Sequence, residues 1–178
     1  MTSKEIIKLL PYQYPFLFVD ELTMISDQSI TGHYTFKNNE YFYIGHFKDN
    51  PVTPGVILTE CMAQIGVVCL GIYLMKDMIL ENFQPQIALT SSQVDFFLPV
   101  FPNEKVTVVS EKEVFRFNKL KCKVNMFNSN QELATYIDAC TKDEYQGRCN
   151  AALSSCVWEV NSLDGFPNDF EDDYFYLN

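Results

Sequence analysis

The sequence predicts an α+β fold in which an antiparallel sheet wraps around one long central helix. Three observations support this prediction. Strand-like runs fill the first part of the chain, an almost uninterrupted apolar stretch extends from Pro54 to Met75, and strand–turn–strand patterns follow residue 86. No internal repeat is visible. We therefore expect one domain over residues 1–143 and an extension of unknown role over residues 144–178.

The N-terminal region is predicted to contain a short helix and two strands. Thr2 and Glu5 have the spacing of a capping box, and Pro11 ends the helix that they begin. Runs of residues with strand character occupy positions 16–25 and 29–36, and a polar turn near residues 26–28 joins them.

The central helix is predicted to have Thr53 as its N-cap, Pro54 at its first position and its end at residue 75 or 76. A stretch of this length and apolarity would also fit a membrane span. However, Glu60 and Gln64 lie inside it, no basic clusters flank it, and strand patterns surround it. We therefore expect no membrane partner, but a helix enclosed by the sheet on one side and a partner subunit on the other.

The region after the helix is predicted to be an antiparallel meander. Pro99 and Pro102 separate its first strand from the rest, and the Asn-Ser-Asn-Gln segment at residues 128–131 has the composition of a hairpin turn. The predicted strands cover residues 86–97, 105–115, 119–127 and 132–141.

Composition limits the possible partners and the compartment. The net charge of −10 argues against nucleic acid as a partner, and the 15 Phe and 10 Tyr suit strands and apolar tunnels. Residues 149–178 hold six acidic residues and no Lys or Arg, but they are too aromatic for a simple disordered tail. The cysteines lack metal-type spacing, and the N-terminal residues lack the cationic apolar pattern of a secretory leader, so reduced thiols and a cytoplasmic location are expected.

Glu60 is the residue that most needs an explanation. Burying a carboxylate without a partner is costly, so a glutamate in an apolar helix is expected to have a polar partner or a chemical role. His46 lies upstream, and an imidazole titrates near neutral pH, so it is a candidate base. Desolvation is expected to raise the pKa of Glu60, which suits a proton donor, and Gln64 one turn later can hydrogen-bond its carboxyl group.

Three segments of the chain resemble one known family. His46-Phe47, a short loop, Pro51-Val52-Thr53-Pro54-Gly55 and a helix with Glu60 and Gln64 form the first. The second is Leu-Pro-Tyr-Gln-Tyr-Pro-Phe-Leu-Phe-Val-Asp at residues 10–20, and the third covers residues 94–104. In this order and spacing they are similar to the hot-dog-fold 3-hydroxyacyl-acyl-carrier-protein dehydratases. The resemblance covers about residues 4–143 and implies the hot-dog fold and hydro-lyase activity.

The resemblance also implies roles for individual residues. His46 would be the base and Glu60 the acid, without a metal or organic cofactor. The backbone amides of Gly55 and Val56 would polarise the thioester carbonyl of the substrate, and the Val52 carbonyl would hold the second nitrogen of His46. Gln64 is counted with Gly55, Val56 and Val52 among the substrate-binding residues.

The partners implied by the resemblance are an acyl carrier protein bearing a 3-hydroxyacyl chain and a second subunit. The His and the Glu of one site would come from different chains, in a homodimer or a trimer of dimers, with a heterodimer as a further possibility. Lys119, Lys121 and Lys123 alternate along one predicted strand face. They are either an ordinary solvated face or a docking patch for the carrier protein.

Several positions depart from the family pattern. These departures favour a changed substrate or a specialised pathway, of the polyene or polyketide type, over housekeeping fatty-acid synthesis. They also leave two alternatives open, which are a hot-dog acyl thioesterase and a catalytically weak partner subunit that binds acyl chains. His33 is interpreted as structural or surface-exposed. The departures are Tyr12 for His, Lys48-Asp49 for Pro-Gly, Thr53 for Met, and Phe97-Leu98 for basic residues.

Overall fold

A computed structural model describes residues 1–80, 86–117, 119–137 and 156–161, the last of these by its backbone. Its helices are α1 (Ser3–Lys8), α2 (Gly55–Ala63), α3 (Cys69–Leu74) and α4 (Lys76–Leu80). Its strands are β1 (Glu21–Ile25), β2 (Ser29–Thr35), β3 (Gln86–Leu89), β4 (Asp95–Phe96), β5 (Lys105–Arg116), β6 (Lys119–Phe127), β7 (Leu133–Ile137) and β8 (Cys156–Asn161).

The strands form one antiparallel sheet. Its main path runs β1-β2-β5-β6-β7-β4, and β8 pairs with both β6 and β3. Along β2, β5 and β6 buried and partly exposed residues alternate, so each strand turns one face towards the helix. The predicted α+β hot-dog architecture, a sheet wrapped around one central helix, is confirmed.

The central helix, Gly55–Leu74, joins α2 to α3 through a π-helical turn at Gln64–Val68. It packs closely on the sheet at Gly66, where a Cβ atom would lie 2.7 Å from Val124 Cγ1. The most apolar window of this helix is 78% buried inside the protein. Its apolar character is therefore largely accounted for by packing within this chain, and the predicted cover by a partner subunit stays a prediction.

Local signals predicted several elements well. The capping box at Thr2 and Glu5 is present, with both reciprocal hydrogen bonds formed. The turn at residues 128–131 is closed by the backbone N–H of Asn128, which donates to the backbone carbonyl of Glu132. Cys61 and Cys69 are free thiols in the core. The final strand of the predicted meander begins at Leu133 and is described as far as Ile137.

Three predicted boundaries were wrong. The first strand begins at Glu21, because the backbone of Phe16 and Phe18 is hydrogen-bonded to the helix side chain of Gln64. The strand predicted over 86–97 divides into β3 and β4. Pro54, not Thr53, is the N-cap residue of α2, because the Thr53 hydroxyl is hydrogen-bonded to Tyr43 instead.

The C-terminal extension contributes to the sheet. The predicted boundary after residue 143 lies outside the described residues, but Cys156–Asn161 form β8. The backbone of β8 pairs with β3 from Gln86 to Leu89 and with β6 from Lys119 to Cys122. This part of the extension is therefore continuous with the sheet of the domain.

Candidate active site

His46 lies on a loop between a 3-10 turn, Tyr41–Ile44, and the start of the central helix. Its Nδ1 is 2.8 Å from the carbonyl oxygen of Val52, which is the contact that the family resemblance implied. A carbonyl oxygen can only accept a hydrogen bond, so Nδ1 carries the proton of the neutral ring. Nε2 therefore has a free lone pair, as a general base requires.

Glu60 lies on α2 and is half-buried. Its Oε1 accepts a hydrogen bond of 2.8 Å from Nε2 of Gln64, one helical turn further on. This is the predicted contact between the two side chains. The carboxyl group is thus held on one side by an amide, while its second oxygen, Oε2, has no hydrogen bond to any described residue.

Gln64 is fully buried, and its amide group has only one possible orientation. Its oxygen accepts a hydrogen bond of 2.8 Å from the backbone N–H of Phe18, and its nitrogen donates one of 2.9 Å to the carbonyl of Phe16. The nitrogen therefore also faces Glu60 and must donate to it. When Glu60 is neutral, its proton must be on Oε2, because Oε1 faces a donor.

The contacts of Gln64 change the role expected for it. The sequence grouped it with the substrate-binding residues. However, both polar atoms of its side chain are occupied by Phe16, Phe18 and Glu60, and none of the side chain is exposed. Gln64 therefore fixes the orientation of the Glu60 carboxyl group, and we interpret it as a positioning residue.

The N-terminus of the central helix offers two free donors. The backbone amides of Gly55 and Val56 donate to no acceptor among the described residues, whereas the next two amides bond to the Pro54 carbonyl. The partial positive charge of a helix N-terminus reinforces such donors. Gly55 lies close to the Phe96 ring, since a Cβ atom there would be 2.9 Å from Cζ of that exposed side chain.

A cavity of about 310 Å³ opens beside this helix end. Most of the residues that line it have apolar side chains, and Gly55 brings backbone polar groups to its edge. Two of its lining residues occupy positions where the resembling family has basic side chains. The cavity is lined by Thr53, Gly55, Leu58, Phe96, Phe97, Leu98 and Pro99.

The two predicted catalytic side chains do not contact each other within one chain. No hydrogen bond or ion pair connects His46 with Glu60, both of which the structure describes. Apolar side chains near them are uncovered, including Ile44 at 90% exposure and Val56 at 76%. An exposed apolar surface of this kind around an incomplete site is typical of a protein–protein contact.

Two of the three lysines considered for carrier docking, Lys121 and Lys123, have ion-pair partners in the structure. Lys121 and Lys123 both contact the carboxylate of Glu113, at 3.1 and 3.5 Å. They lie on the outer face of β6, because the alternating residues Leu120 and Cys122 are buried on the inner face. Their charges are therefore partly neutralised within the chain, which favours the solvated-face interpretation.

Two further residues have environments that bear on the site. Burial raises the pKa of Tyr12, and the charge of Glu60 raises it further, so this side chain lies within electrostatic reach of Glu60. His33 Nε2 is 3.5 Å from Glu21 Oε2, and the two residues are cross-strand partners between β1 and β2. His33 thus has the structural surroundings that the sequence predicted.

Sequence reasoning missed the contact between Tyr43 and Thr53, whose hydroxyl groups are 2.5 Å apart. It also missed the backbone of Phe16 and Phe18 as partners of Gln64. The only signal for the first was that Thr53 departs from the family pattern. Nothing in the sequence indicated the second contact, because a backbone partner does not depend on which side chain is present.

Comparisons with known proteins agree with this fold. Residues 10–135 match the profile of the FabA-like domain. The "3-hydroxyacyl-[acyl-carrier-protein] dehydratase FabZ" of Ehrlichia ruminantium (strain Gardel) is 36% identical over 127 residues, which cover 70% of this chain and 83% of the relative. The protein of the same name from Clostridium botulinum (strain Hall) is 45% identical over 67 residues, 37% of this chain and 46% of the relative.

Solved structures support the fold alone. The dehydratase heterocomplex ApeI:P from Xenorhabdus doucetiae aligns with a TM-score of 0.62 at 12% identity, over 77% of this chain and 88% of that chain. Thioesterase HI1161 from Haemophilus influenzae aligns with a TM-score of 0.61 at 12% identity, over 93% and 94%. Both dehydratases and thioesterases thus share this architecture.

The fold and the sequence match together define a hot-dog enzyme of the dehydratase class, a hydro-lyase. The chain belongs to the family of FabA-like domains. The family that the three sequence segments predicted is confirmed.

Proposed function

We propose that this protein dehydrates a 3-hydroxyacyl chain carried on an acyl carrier protein to the trans-2-enoyl product, with His46 as base and Glu60 as acid. The observation that carries the proposal is the contact between His46 Nδ1 and the Val52 carbonyl, which leaves Nε2 free to accept a proton. The FabZ relatives named above support the choice of substrate.

The reaction requires three groups, and the chain supplies each of them. His46 Nε2 takes the proton from C2 of the thioester. The amides of Gly55 and Val56 stabilise the negative charge that gathers on the thioester oxygen. Glu60 Oε2 gives its proton to the hydroxyl at C3, which leaves as water while the C2–C3 double bond forms. No oxidant or reductant is needed, since no electrons are gained or lost overall.

The active unit in this proposal is at least a dimer, in which His46 of one subunit faces Glu60 of another. The absence of a contact between these two described residues within one chain supports it, and so do the exposed apolar side chains nearby. A trimer of such dimers and a heterodimer with a related chain satisfy the same requirement. The acyl chain would occupy the apolar cavity beside α2.

A mass-spectrometric assay tests the proposal. Purified protein is incubated with a panel of 3-hydroxyacyl chains of different lengths on an acyl carrier protein. We expect loss of one water from the carrier-bound chain, abolished by His46→Ala and retained by His33→Gln as a matched control. Release of free acid would identify a thioesterase instead. If the homomer is inactive and adding a related partner chain produces turnover, the protein is a partner subunit.

A further inference from the structure

The loop that carries His46 is held at its base by a buried pair of hydroxyl groups. The Tyr43 hydroxyl lies 2.5 Å from Oγ1 of Thr53, and the two residues are 8% and 3% exposed. Tyr43 lies just before the loop, and Thr53 lies just after it. The hydrogen bond therefore joins the two ends of the segment that contains His46.

Thr53 is also held from the other side of the fold. Its backbone N–H donates to the carbonyl of Val100 at 2.8 Å. The adjacent residue, Val52, supplies the carbonyl that accepts from His46 Nδ1, and its own N–H donates to the His46 carbonyl at 3.0 Å. The position of Thr53 thus determines where the acceptor for the imidazole lies.

The rest of the loop offers weaker restraint. Residues 47–51 are exposed, and their described backbone contacts are the reciprocal hydrogen bonds between Phe47 and Asn50, at 3.3 and 3.2 Å. These bonds close the tip of the loop on itself and do not attach it to the core. The attachment that fixes the loop relative to the core is therefore at its base.

We propose that the hydroxyl pair of Tyr43 and Thr53 positions His46 for catalysis, by holding the Val52 carbonyl where it selects the tautomer with the proton on Nδ1. Tyr43 is a positioning residue. Thr53 also lines the cavity beside α2, and its hydroxyl group acts on His46 by positioning, through the contact with Tyr43. The inference rests on the proposed function for its catalytic consequence, but the tautomer of His46 can be measured without any turnover.

The chemistry of the pair suits a permanent attachment. Burial raises the pKa of Tyr43, so the phenol stays protonated at neutral pH. Two neutral hydroxyls in a buried site form a hydrogen bond that bulk water does not compete for. Removing one hydroxyl leaves the other buried without its partner, whereas removing both leaves two apolar groups in contact.

Comparing the single and double variants therefore distinguishes a role in positioning His46 from a role in stability alone. Thr53→Val and Tyr43→Phe should each lower stability, and the double variant should recover most of it because no buried hydroxyl is left unpaired. In contrast, the double variant should not recover activity, because the attachment of the loop base is missing in all three proteins. Thr53→Ser keeps the hydroxyl and should rescue activity.

The experiment combines kinetics with NMR on untagged protein labelled with ¹⁵N-histidine. The chain has two histidines, so a His33→Gln background leaves His46 as the only imidazole. We expect the neutral Nδ1–H form alone in the starting protein and a mixture of both tautomers in Thr53→Val and in the double variant. We expect kcat to fall roughly ten- to a hundredfold with KM little changed. Tyr41→Phe, on the same turn but with an exposed ring, is the control.

Two results would overturn the inference. One is an unchanged tautomer in the double variant. The other is a wild-type kcat per folded molecule in that variant, which would make the pair purely structural. If the starting protein dehydrates none of the acyl substrates, the proposed function fails, but the tautomer spectra still decide the inference.

Discussion

The amide nitrogen of Gln64 donates to Oε1 of Glu60 at 2.8 Å, while the oxygen of the same amide accepts from the backbone of Phe18 at 2.8 Å. One buried side chain therefore connects the candidate acid to a loop that is distant in sequence. Because the loop fixes the amide orientation, it also determines which oxygen of Glu60 can carry a proton. The proposed chemistry depends on this arrangement, and substitutions can test it.

Replacing Gln64 with Leu should lower both stability and activity. The Phe18 N–H and the Phe16 carbonyl would lose their partner in a buried site, at a cost of about 1–3 kcal/mol for each unpaired group. Urea unfolding measures the loss of stability, and kcat per folded molecule measures the loss of activity. If stability falls but kcat per folded molecule is unchanged, the contact with Glu60 has no role in catalysis.

His46→Ala should lower kcat about 10²–10⁴-fold, the usual contribution of a general base, without unfolding the protein. The side chain is half-buried on a loop, so its removal leaves no large cavity in the core. His33→Ala serves as the matched control, because that histidine contacts Glu21 and lies on β2. More than about a tenth of wild-type turnover in His46→Ala would contradict the role of base.

Glu60→Gln should fold and fail to turn over, because it keeps the volume and hydrogen bonding of the side chain but has no acidic proton. Glu60→Leu should be at least as stable as the wild type, since an apolar residue suits this helix, and it should be equally inactive. Thermal unfolding and kcat of the two variants test this. Glu113→Gln on the outer face is the control, and strong unfolding of Glu60→Gln with normal specific activity would make Glu60 structural.

Mixing His46→Ala subunits with Glu60→Gln subunits should restore activity if the site forms between chains. Each mixed dimer would have one site with both native groups and one site with neither. The measurement is turnover after subunit exchange that mass spectrometry has verified. A complete lack of rescue after full exchange would argue that His46 and Glu60 act within one chain.

Neutralising Lys121 and Lys123 with Gln should change stability by less than about 1 kcal/mol, since exposed ion pairs contribute little. Because both lysines already contact Glu113, we expect similar small effects on carrier-bound substrate and on a short thioester. The ratio of the two kcat/KM values at low and high salt is the measurement. A loss of about tenfold confined to carrier-bound substrate, and abolished by salt, would restore the docking role.

The sequence by itself determined the class of the protein and the identity of its candidate acid and base. Strand alternation and the capping box of α1 are local patterns, so β2, β5 and β6 could be predicted closely. Glu60 stood out because a carboxylate is costly in an apolar helix, and His46 because of its place in a family motif. These features depend on side-chain type and short spacing, which a sequence shows directly.

Only the tertiary structure decided how these groups are held. The partners of Gln64 at Phe16 and Phe18 are 48 and 46 positions away in the chain. Thr53 has the character of an N-cap residue, yet its hydroxyl bonds to Tyr43, because folding places a buried phenol next to it. Likewise, β8 joins the sheet through backbone hydrogen bonds, which every residue type except proline can both donate and accept. Such long-range contacts are selected by packing of the whole chain, and local propensity does not encode them.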